Sequence, residues 1–215
     1  MKTKNKYIIS NPGKFHHFEV ARELNKLNML DKIICGYPWF KLKNFGVPKE
    51  KIVSLSLNTI LSRYINDGWL KDYLNINQFK KIDNTTKKYL NDNTVFLGLS
   101  GSSLNTGLEA KKRNILYICE RASTHITYQS NILTNEYKKL NLEYKKTNKW
   151  FIERELKEYE AADVILTPSN FVKKTFIENG IKKVEVLNYG VDTTMFYPLN
   201  IKNEDEYFNI IFVGQ

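Results

Sequence analysis

Residues that could bind a ligand follow the first predicted strand of the chain. The apolar run Tyr7–Ser10 predicts a strand, and the chain then turns through Gly13 and Lys14 into a predicted helix over Phe15–Lys26. In an α/β sheet the first strand–loop–helix junction usually opens onto the ligand crevice. A glycine lets the backbone approach a ligand closely, and the amino terminus of a helix favours a negative group. We therefore predict that Gly13 and Lys14 contact a ligand, although a single glycine is not a dinucleotide-binding fingerprint.

A second polar group follows the predicted strand Asn114–Ile118. Arg121, Ser123 and His125 lie in the short segment between this strand and a predicted helix that begins near Thr127. Ser123 could cap that helix or contact a ligand, and the sequence leaves both roles open. His125 is either an ordinary loop histidine or a ligand contact at the sheet edge, where the ligands of such folds gather.

A strand, a helix and a second strand are predicted within Val164–Leu187. Val164–Leu166 is a short apolar run, and Ser169 follows as a candidate N-cap, because its hydroxyl can accept a hydrogen bond from the first helical turn. Asn179 and Gly180 end the helix with residues that tolerate a left-handed conformation. The segment is therefore predicted to be a βαβ unit with a parallel pair of strands, and Ser169 is a further candidate ligand contact.

Predicted strands and helices alternate along the whole chain. The longest helical patterns cover Thr59–Leu90, with breaks near Asn66–Gly68 and Asn75, and about Thr127–Ala161, with a break near Leu142–Asn148. Alternation of this kind indicates an α/β fold with an open, mostly parallel, doubly wound sheet.

The composition is that of a basic globular chain. It has 215 residues, a formal net charge of +10, two cysteines and three histidines. Cys35 and Cys119 follow apolar residues of predicted strands, which indicates two buried free thiols in a reducing compartment. Neither the cysteines nor the histidines, His16 and His17 included, show the paired spacing of a zinc site, so we predict no metal centre.

Charge and apolar segments bear on location. No run approaches the roughly 18 apolar residues of a membrane span, and the polar amino terminus is not a signal peptide, so we predict a cytoplasmic protein. The many lysine pairs are either solvated helix faces or a surface attracted to an anionic partner, which would be a membrane or a nucleic acid. Charge alone does not choose between these interpretations.

Several short segments together resemble a known family. They are Tyr159–Asp163, Pro168–Phe171, Gly190–Asp192 and Phe196–Pro198, preceded by Phe15–Leu24, Gly36–Pro38 and Glu120–Ile126 with Gln129. Their order and spacing resemble the family 4 glycosyltransferases, a retaining group with the GT-B fold. One bacterial branch of that family commonly has glycine at the position of Ala122, so the match there is imperfect.

The resemblance implies a domain organisation. Residues 1–199 would form the N-terminal, Rossmann-like, acceptor-side domain of a GT-B enzyme. Residues 200–215 would be a linker and the first strand of a second domain, which binds the nucleotide-sugar in this family. Because the family's diphosphate-binding residues lie further on, we expect the 215-residue chain to be inactive alone.

The resemblance also implies the chemistry. Such an enzyme transfers a hexosyl group from a nucleotide-sugar to a saccharide or lipid-linked acceptor with retention, and it needs neither a metal nor a cofactor. The charge on the departing nucleotide diphosphate is stabilised electrostatically. His125 would be the catalytic residue that hydrogen-bonds and orients the donor sugar. The residues that would contact donor or acceptor are Gly13, Lys14, Arg121, Ser123 and Ser169.

A different class of function is the alternative. A basic α/β module could bind nucleic acid or an anionic membrane surface, because fold alone does not fix function. Such a binder needs one contiguous basic face, whereas a transferase needs a crevice at the carboxyl ends of the strands. Under the transferase hypothesis, nucleic acid has no role, and a lipid-linked acceptor would add peripheral contact with the inner membrane.

Overall fold

A parallel β-sheet is the centre of the fold. The computed structural model describes residues 5–198, 207 and 210–212. In this part of the chain seven strands pair in the order β3-β2-β1-β4-β5-β6-β7, and every pair is parallel. The strands are β1 (Lys6–Asn11), β2 (Leu30–Cys35), β3 (Ile52–Ser54), β4 (Thr94–Leu99), β5 (Tyr117–Glu120), β6 (Val164–Thr167) and β7 (Val184–Val186). The predicted α/β, Rossmann-like, doubly wound sheet is confirmed.

Helices connect the strands. They are α1 (His17–Lys26), α2 (Leu57–Ser62), α3 (Trp69–Thr86), α4 (Leu104–Lys112), α5 (Ile126–Lys139), α6 (Lys149–Ala161) and α7 (Asn170–Glu178). Short 3₁₀ turns occupy Trp39–Lys41, Lys49–Lys51 and Lys87–Tyr89. The predicted βαβ unit is confirmed as β6, α7 and β7, and the Ser169 Oγ accepts a hydrogen bond from the Val172 N–H at 3.3 Å.

The apolar side chains form a core on each face of the sheet. Alternate residues of a strand point to opposite faces, so the neighbours Ile8 and Ile9 of β1 belong to different clusters. Phe18 and Ala21 of α1 join the cluster that contains Ile9. Phe176 of α7 joins the cluster that contains Ile8. Helices therefore cover both faces, which explains why the central strands are buried on both sides.

Two predicted boundaries are wrong. Helix α3 continues through Asn75, because buried residues such as Ile82 anchor one face of it and packing outweighs the low helix propensity of a single asparagine. The fifth strand begins at Tyr117 instead of Asn114. Asn114 has a φ of 53° and follows the end of α4, so its left-handed backbone turns the chain before the strand can start.

Other predictions concern cysteines, membranes and the carboxyl terminus. Cys35 and Cys119 are both buried and free, as predicted. Among the described helices none combines the length and apolar character that crossing a bilayer requires. The predicted linker and final strand within residues 200–215 fall almost entirely outside the described residues, so they stay predictions.

Candidate functional site

The carboxyl edge of the sheet has a topological switch point between β1 and β4. From β1 the chain proceeds to β2 and β3 on one side, and from β4 it proceeds to β5, β6 and β7 on the other. Loops therefore diverge from these two neighbouring strands, and ligands of open α/β sheets bind in the crevice that this divergence creates.

Two histidines and a glutamate meet at this edge. His16 and His17 open α1 immediately after the first loop, and Glu120 ends β5. The Nε2 of His16 is in direct contact with Oε1 of Glu120. The Nε2 of His17 lies 3.1 Å from Oε2 of the same carboxylate. We call these three residues the His–Glu cluster.

The cluster is electrostatically tuned. Burial opposes ionisation of Glu120, but the adjacent imidazoles of His16 and His17 outweigh it and lower the pKa of the carboxyl group to about 2. The ring of Tyr189 lies 4.2 Å from that of His16. Burial, followed by the negative charge of Glu120, raises the pKa of the Tyr189 phenol to about 12. At neutral pH the cluster therefore contains an ionised carboxylate beside the two histidine rings, and the neighbouring Tyr189 phenol is neutral.

Burial differs among the three members. The His17 side chain has no exposure, that of Glu120 is 9% exposed, and that of His16 is 26% exposed. Among the described residues neither ring nitrogen of His17 has a hydrogen-bond partner, since the approach of Nε2 to Glu120 is close but poorly aligned. His16 is therefore the member that a substrate can reach, and His17 is a buried neighbour with unused polar atoms.

The first loop is shaped by Asn11 rather than by a ligand. The buried Oδ1 of Asn11 accepts a hydrogen bond from the Gly13 N–H at 2.9 Å, which closes the turn after β1. A Cβ at Gly36 would overlap the Pro12 carbonyl oxygen, so glycine is required where the loops after β1 and β2 touch. The Nζ of Lys14 lies 4.5 Å from the centre of the Phe45 ring, a cation–π distance. Gly13 and Lys14 thus lie at the predicted edge, and their ligand contacts stay predictions.

Arg121 is held by several neighbours in the loop after β5. Its guanidinium donates to Oε1 of Gln129 at 2.6 Å and to the carbonyl oxygen of Thr124 at 3.2 Å, and it forms an ion pair with Glu155 at 3.0 Å. Ser123 is half-buried. It does not cap α5, and the sequence alternative of a cap is therefore wrong for this residue, because His125 occupies the N-cap position.

His125 is buried and structurally engaged. The Nδ1 of its ring accepts a hydrogen bond from the Thr127 N–H at 3.3 Å, and its backbone N–H donates to the Thr175 Oγ1 at 3.0 Å. The ring lies 5.3 Å from that of Tyr159 and 5.1 Å from that of Phe176. Burial, and then the nearby charge of Arg121, lower the pKa of the imidazole to about 4. His125 is therefore neutral at pH 7, and the catalytic role assigned to it from the sequence stays a prediction.

The predicted site residues form separate groups. Arg121, Ser123 and His125 share the loop after β5, and Arg121 is close enough to His125 to affect its pKa. Within the described chain, Gly13 and Lys14 form no hydrogen bond or ion pair with that group. Ser169 caps α7, the helix that also carries Thr175, the partner of His125.

The structural comparisons concern the fold. No protein-family model and no curated protein sequence matches this chain. Its structure is similar to TcCGT1 solved in complex with UDP, with a TM-score of 0.56 and 11% identity over 94% of this chain and 54% of that one. It is also similar to a Polygonum tinctorium UDP-glucosyltransferase capable of glucosylating indoxyl, in complex with 3,4-dichloroaniline. Here the TM-score is 0.50 and the identity 12%, over 89% of this chain and 54% of that one.

At these identities the similarity supports the fold and not the activity. This chain spans about half the length of the solved proteins it matches. The structural similarity agrees with the prediction that the chain has the fold of one half of a GT-B glycosyltransferase.

Proposed function

We propose that this chain is the acceptor-side half of a nucleotide-sugar-dependent glycosyltransferase, of the family 4 type that its motifs resemble. The observation that carries the proposal is the His16–Glu120 pair at the switch point of the sheet. A histidine backed by an ionised carboxylate is suited to accept a proton from an attacking hydroxyl group. The fold, which is similar to that of a UDP-glucosyltransferase, is compatible with this class of reaction.

The contact with Glu120 sets the role of each nitrogen of His16. Because Nε2 faces the carboxylate, the neutral ring would carry its proton on Nε2, where it can be donated to Glu120, and Nδ1 would carry the free lone pair. Nδ1 would accept the proton of the acceptor hydroxyl while the hydroxyl oxygen bonds to the anomeric carbon. The bond from that carbon to the nucleotide diphosphate breaks, and the leaving group takes the electron pair. The negative charge of Glu120 stabilises the imidazolium that forms.

This arrangement bears on stereochemistry. The family resemblance implies retention, in which attack occurs on the same face as the leaving group and the departing phosphate can take the proton. A protein base on the acceptor side favours attack from the opposite face, which inverts the anomeric centre. In the proposed base mechanism His16 accepts the proton without the help of a metal, and the groups that bind the departing diphosphate would lie elsewhere in the enzyme.

The proposed experiment measures nucleotide release and product configuration. A panel of nucleotide-sugars is incubated with saccharide and lipid-linked acceptors, using this chain alone and the longer, two-domain transferase that the proposal implies. We expect turnover only from the longer protein, and we expect His16→Ala to reduce kcat by about 10²–10⁴-fold, the usual contribution of general base catalysis. The anomeric coupling constant of the product separates inversion from retention. Unchanged kcat in folded His16→Ala would reject the base.

His125 keeps a proposed role on the donor side. Because its Nδ1 accepts from the Thr127 N–H, the neutral ring carries its proton on Nε2, which is then its one side-chain donor. That N–H could donate to a hydroxyl group of the donor sugar, as the resemblance implies. Gly13, Lys14 and Ser169 remain proposed contacts at the same edge of the sheet.

A peripheral membrane contact is proposed for the α2–α3 region. Tyr64 and Trp69 are 85% and 79% exposed, and Arg63, the residue before Tyr64, is also exposed. Exposed aromatic and basic side chains are suited to the headgroup region of an anionic bilayer. We expect Trp69→Ser to weaken sedimentation with anionic vesicles severalfold, and an exposed control variant, Tyr207→Ser, to leave it unchanged. Equal sedimentation with neutral and anionic vesicles would exclude the electrostatic contribution.

A further inference from the structure

We propose that the His–Glu cluster is a binding site for a zinc-like divalent transition-metal ion, and that the ion blocks His16 as a proton acceptor. The binding site is independent of the proposed transferase function. Only the consequence of blocking His16, which is inhibition of sugar transfer, depends on that function.

The donor set fits this class of ion. Two imidazole nitrogens and one carboxylate come together from the start of α1 and the end of β5, with their ligand atoms all within 4.8 Å of one another. Imidazole suits zinc and its first-row neighbours, whereas magnesium and calcium prefer ligands that are all oxygen. Two histidines with one glutamate also form a known type of zinc site that leaves a position for a water molecule.

The spacing is compatible with shared coordination. The Nε2 of His17 and Oε2 of Glu120 are 3.1 Å apart. Two ligands at about 2.1 Å from a common ion have this separation when the angle at the ion is about 95°. His16 becomes the third ligand when its Nε2 exchanges the direct contact with Glu120 for the ion.

A second observation independently points to a ligand. His17 is fully buried, and both of its ring nitrogens lack a hydrogen-bond partner among the described residues. Buried polar atoms are rarely left in this state, and each instance calls for an explanation such as a bound ion or water. An ion coordinated by Nε2 would use the atom that faces the ionised carboxylate of Glu120.

Coordination would change the tautomer of His16. Without an ion, the contact of Nε2 with Glu120 favours a proton on Nε2, which leaves Nδ1 as the free base. An ion bound to Nε2 requires a lone pair on that atom, so the neutral ring must carry its proton on Nδ1. The proton leaves Nε2, and Nδ1 changes from an acceptor to a donor. His16 can then no longer take the proton of an acceptor hydroxyl.

The test uses the tag-free chain after treatment with a chelator, because a histidine tag would bind the same ions. Zn²⁺ is titrated calorimetrically, and Co²⁺ is titrated while its visible absorption is recorded. We expect one equivalent of either ion. Glu120→Gln and His17→Ala should each weaken binding at least tenfold, while the exposed carboxylate variant Glu153→Gln should not change it. Circular dichroism confirms that each variant is folded, and the isosteric Glu120→Gln keeps the test decisive if His17→Ala does not fold.

A nitrogen-resolved NMR experiment tests the block without any need for turnover. The chain has only three histidines, so long-range ¹H–¹⁵N spectra can identify the protonated nitrogen of each. We expect zinc to move the proton of His16 from Nε2 to Nδ1. The proposed metal site would be overturned if the ion binds weakly, if several equivalents bind, or if Glu120→Gln leaves binding unchanged. Tight binding with an unchanged His16 tautomer would overturn the block.

Discussion

Replacing His125 with alanine should destabilise the fold. The ring lies between Tyr159 and Phe176, and its Nδ1 caps α5. Loss of an N-cap costs about 1 kcal/mol, and truncation of a large buried side chain to alanine adds about 2–4 kcal/mol through lost contacts and a cavity. We therefore expect His125→Ala to lower the free energy of unfolding by about 3–5 kcal/mol at pH 8.

The destabilisation should depend on pH. The pKa of His125 is lowered to about 4 in the fold, whereas an unfolded histidine has a pKa of about 6.5. The stability that neutral His125 contributes is therefore complete above pH 6.5 and is lost as the pH falls towards 4. At pH 5 the wild-type chain should have lost about 2 kcal/mol from this residue, because one pKa unit corresponds to about 1.36 kcal/mol. The alanine variant lacks this loss. The difference in unfolding free energy between the wild type and His125→Ala should therefore be smaller by that amount at pH 5 than at pH 8.

Urea unfolding at pH 8 and pH 5 measures both effects. Ser169→Ala is a matched control, because it removes an N-cap from α7 without removing a ring, and it should cost about 1 kcal/mol at either pH. An unfolding free energy of His125→Ala equal to that of the wild type, together with turnover reduced by about 10²–10³-fold in the active protein, would refute the structural role. That result would favour the donor-sugar contact implied by the resemblance.

Two further predictions concern the interior. Asp83→Ala should lower the free energy of unfolding by about 3–5 kcal/mol, because it removes one of the two carboxylates that pair with the buried guanidinium of Arg154 and also the acceptor of the Asn105 and Thr106 N–H groups. Asp67→Ala at an exposed ion pair should leave the melting temperature unchanged. Cys35 and Cys119 should react with a thiol reagent such as Ellman's reagent only upon unfolding, because both are buried and burial raises the pKa of Cys35 to about 11 and that of Cys119 well above its usual value. Fast reaction of the native chain would contradict the burial, and equal stability of the two aspartate variants would contradict the first prediction.

Most of the sheet was predictable from the sequence because apolar runs report burial on both faces. β1, β4 and β6 each consist of such a run, and the turn residues that follow them are local signals. The boundaries that failed depend on other parts of the molecule. Asn75 stays helical because α3 packs on the sheet, and Asn114 delays β5 because its backbone is left-handed.

The candidate site was less predictable. Each member of the His–Glu cluster is visible in the sequence, but His17 and Glu120 meet only because β1, β4 and β5 are adjacent in the sheet. A histidine pair at the start of the first helix and an acidic residue ending a later strand are the signals that could have suggested it. His125 shows the opposite case, because its motif drew attention to chemistry while its burial and cap reveal a structural role.

Helix α6 holds two loops at the edge of the sheet where the candidate site lies. Glu158 accepts hydrogen bonds from the N–H groups of Gly101 and Ser103 in the loop after β4, the latter at 2.8 Å. Glu155, one turn earlier, binds Arg121 in the loop after β5 at 3.0 Å. One helix thus holds the loops that follow two neighbouring strands. Because the N–H groups after β4 are already bound by Glu158, this loop cannot serve as a phosphate cradle while the contact persists. Under the proposed function, the His–Glu cluster would accept the proton, and the contacts to the nucleotide diphosphate would come from groups outside this loop.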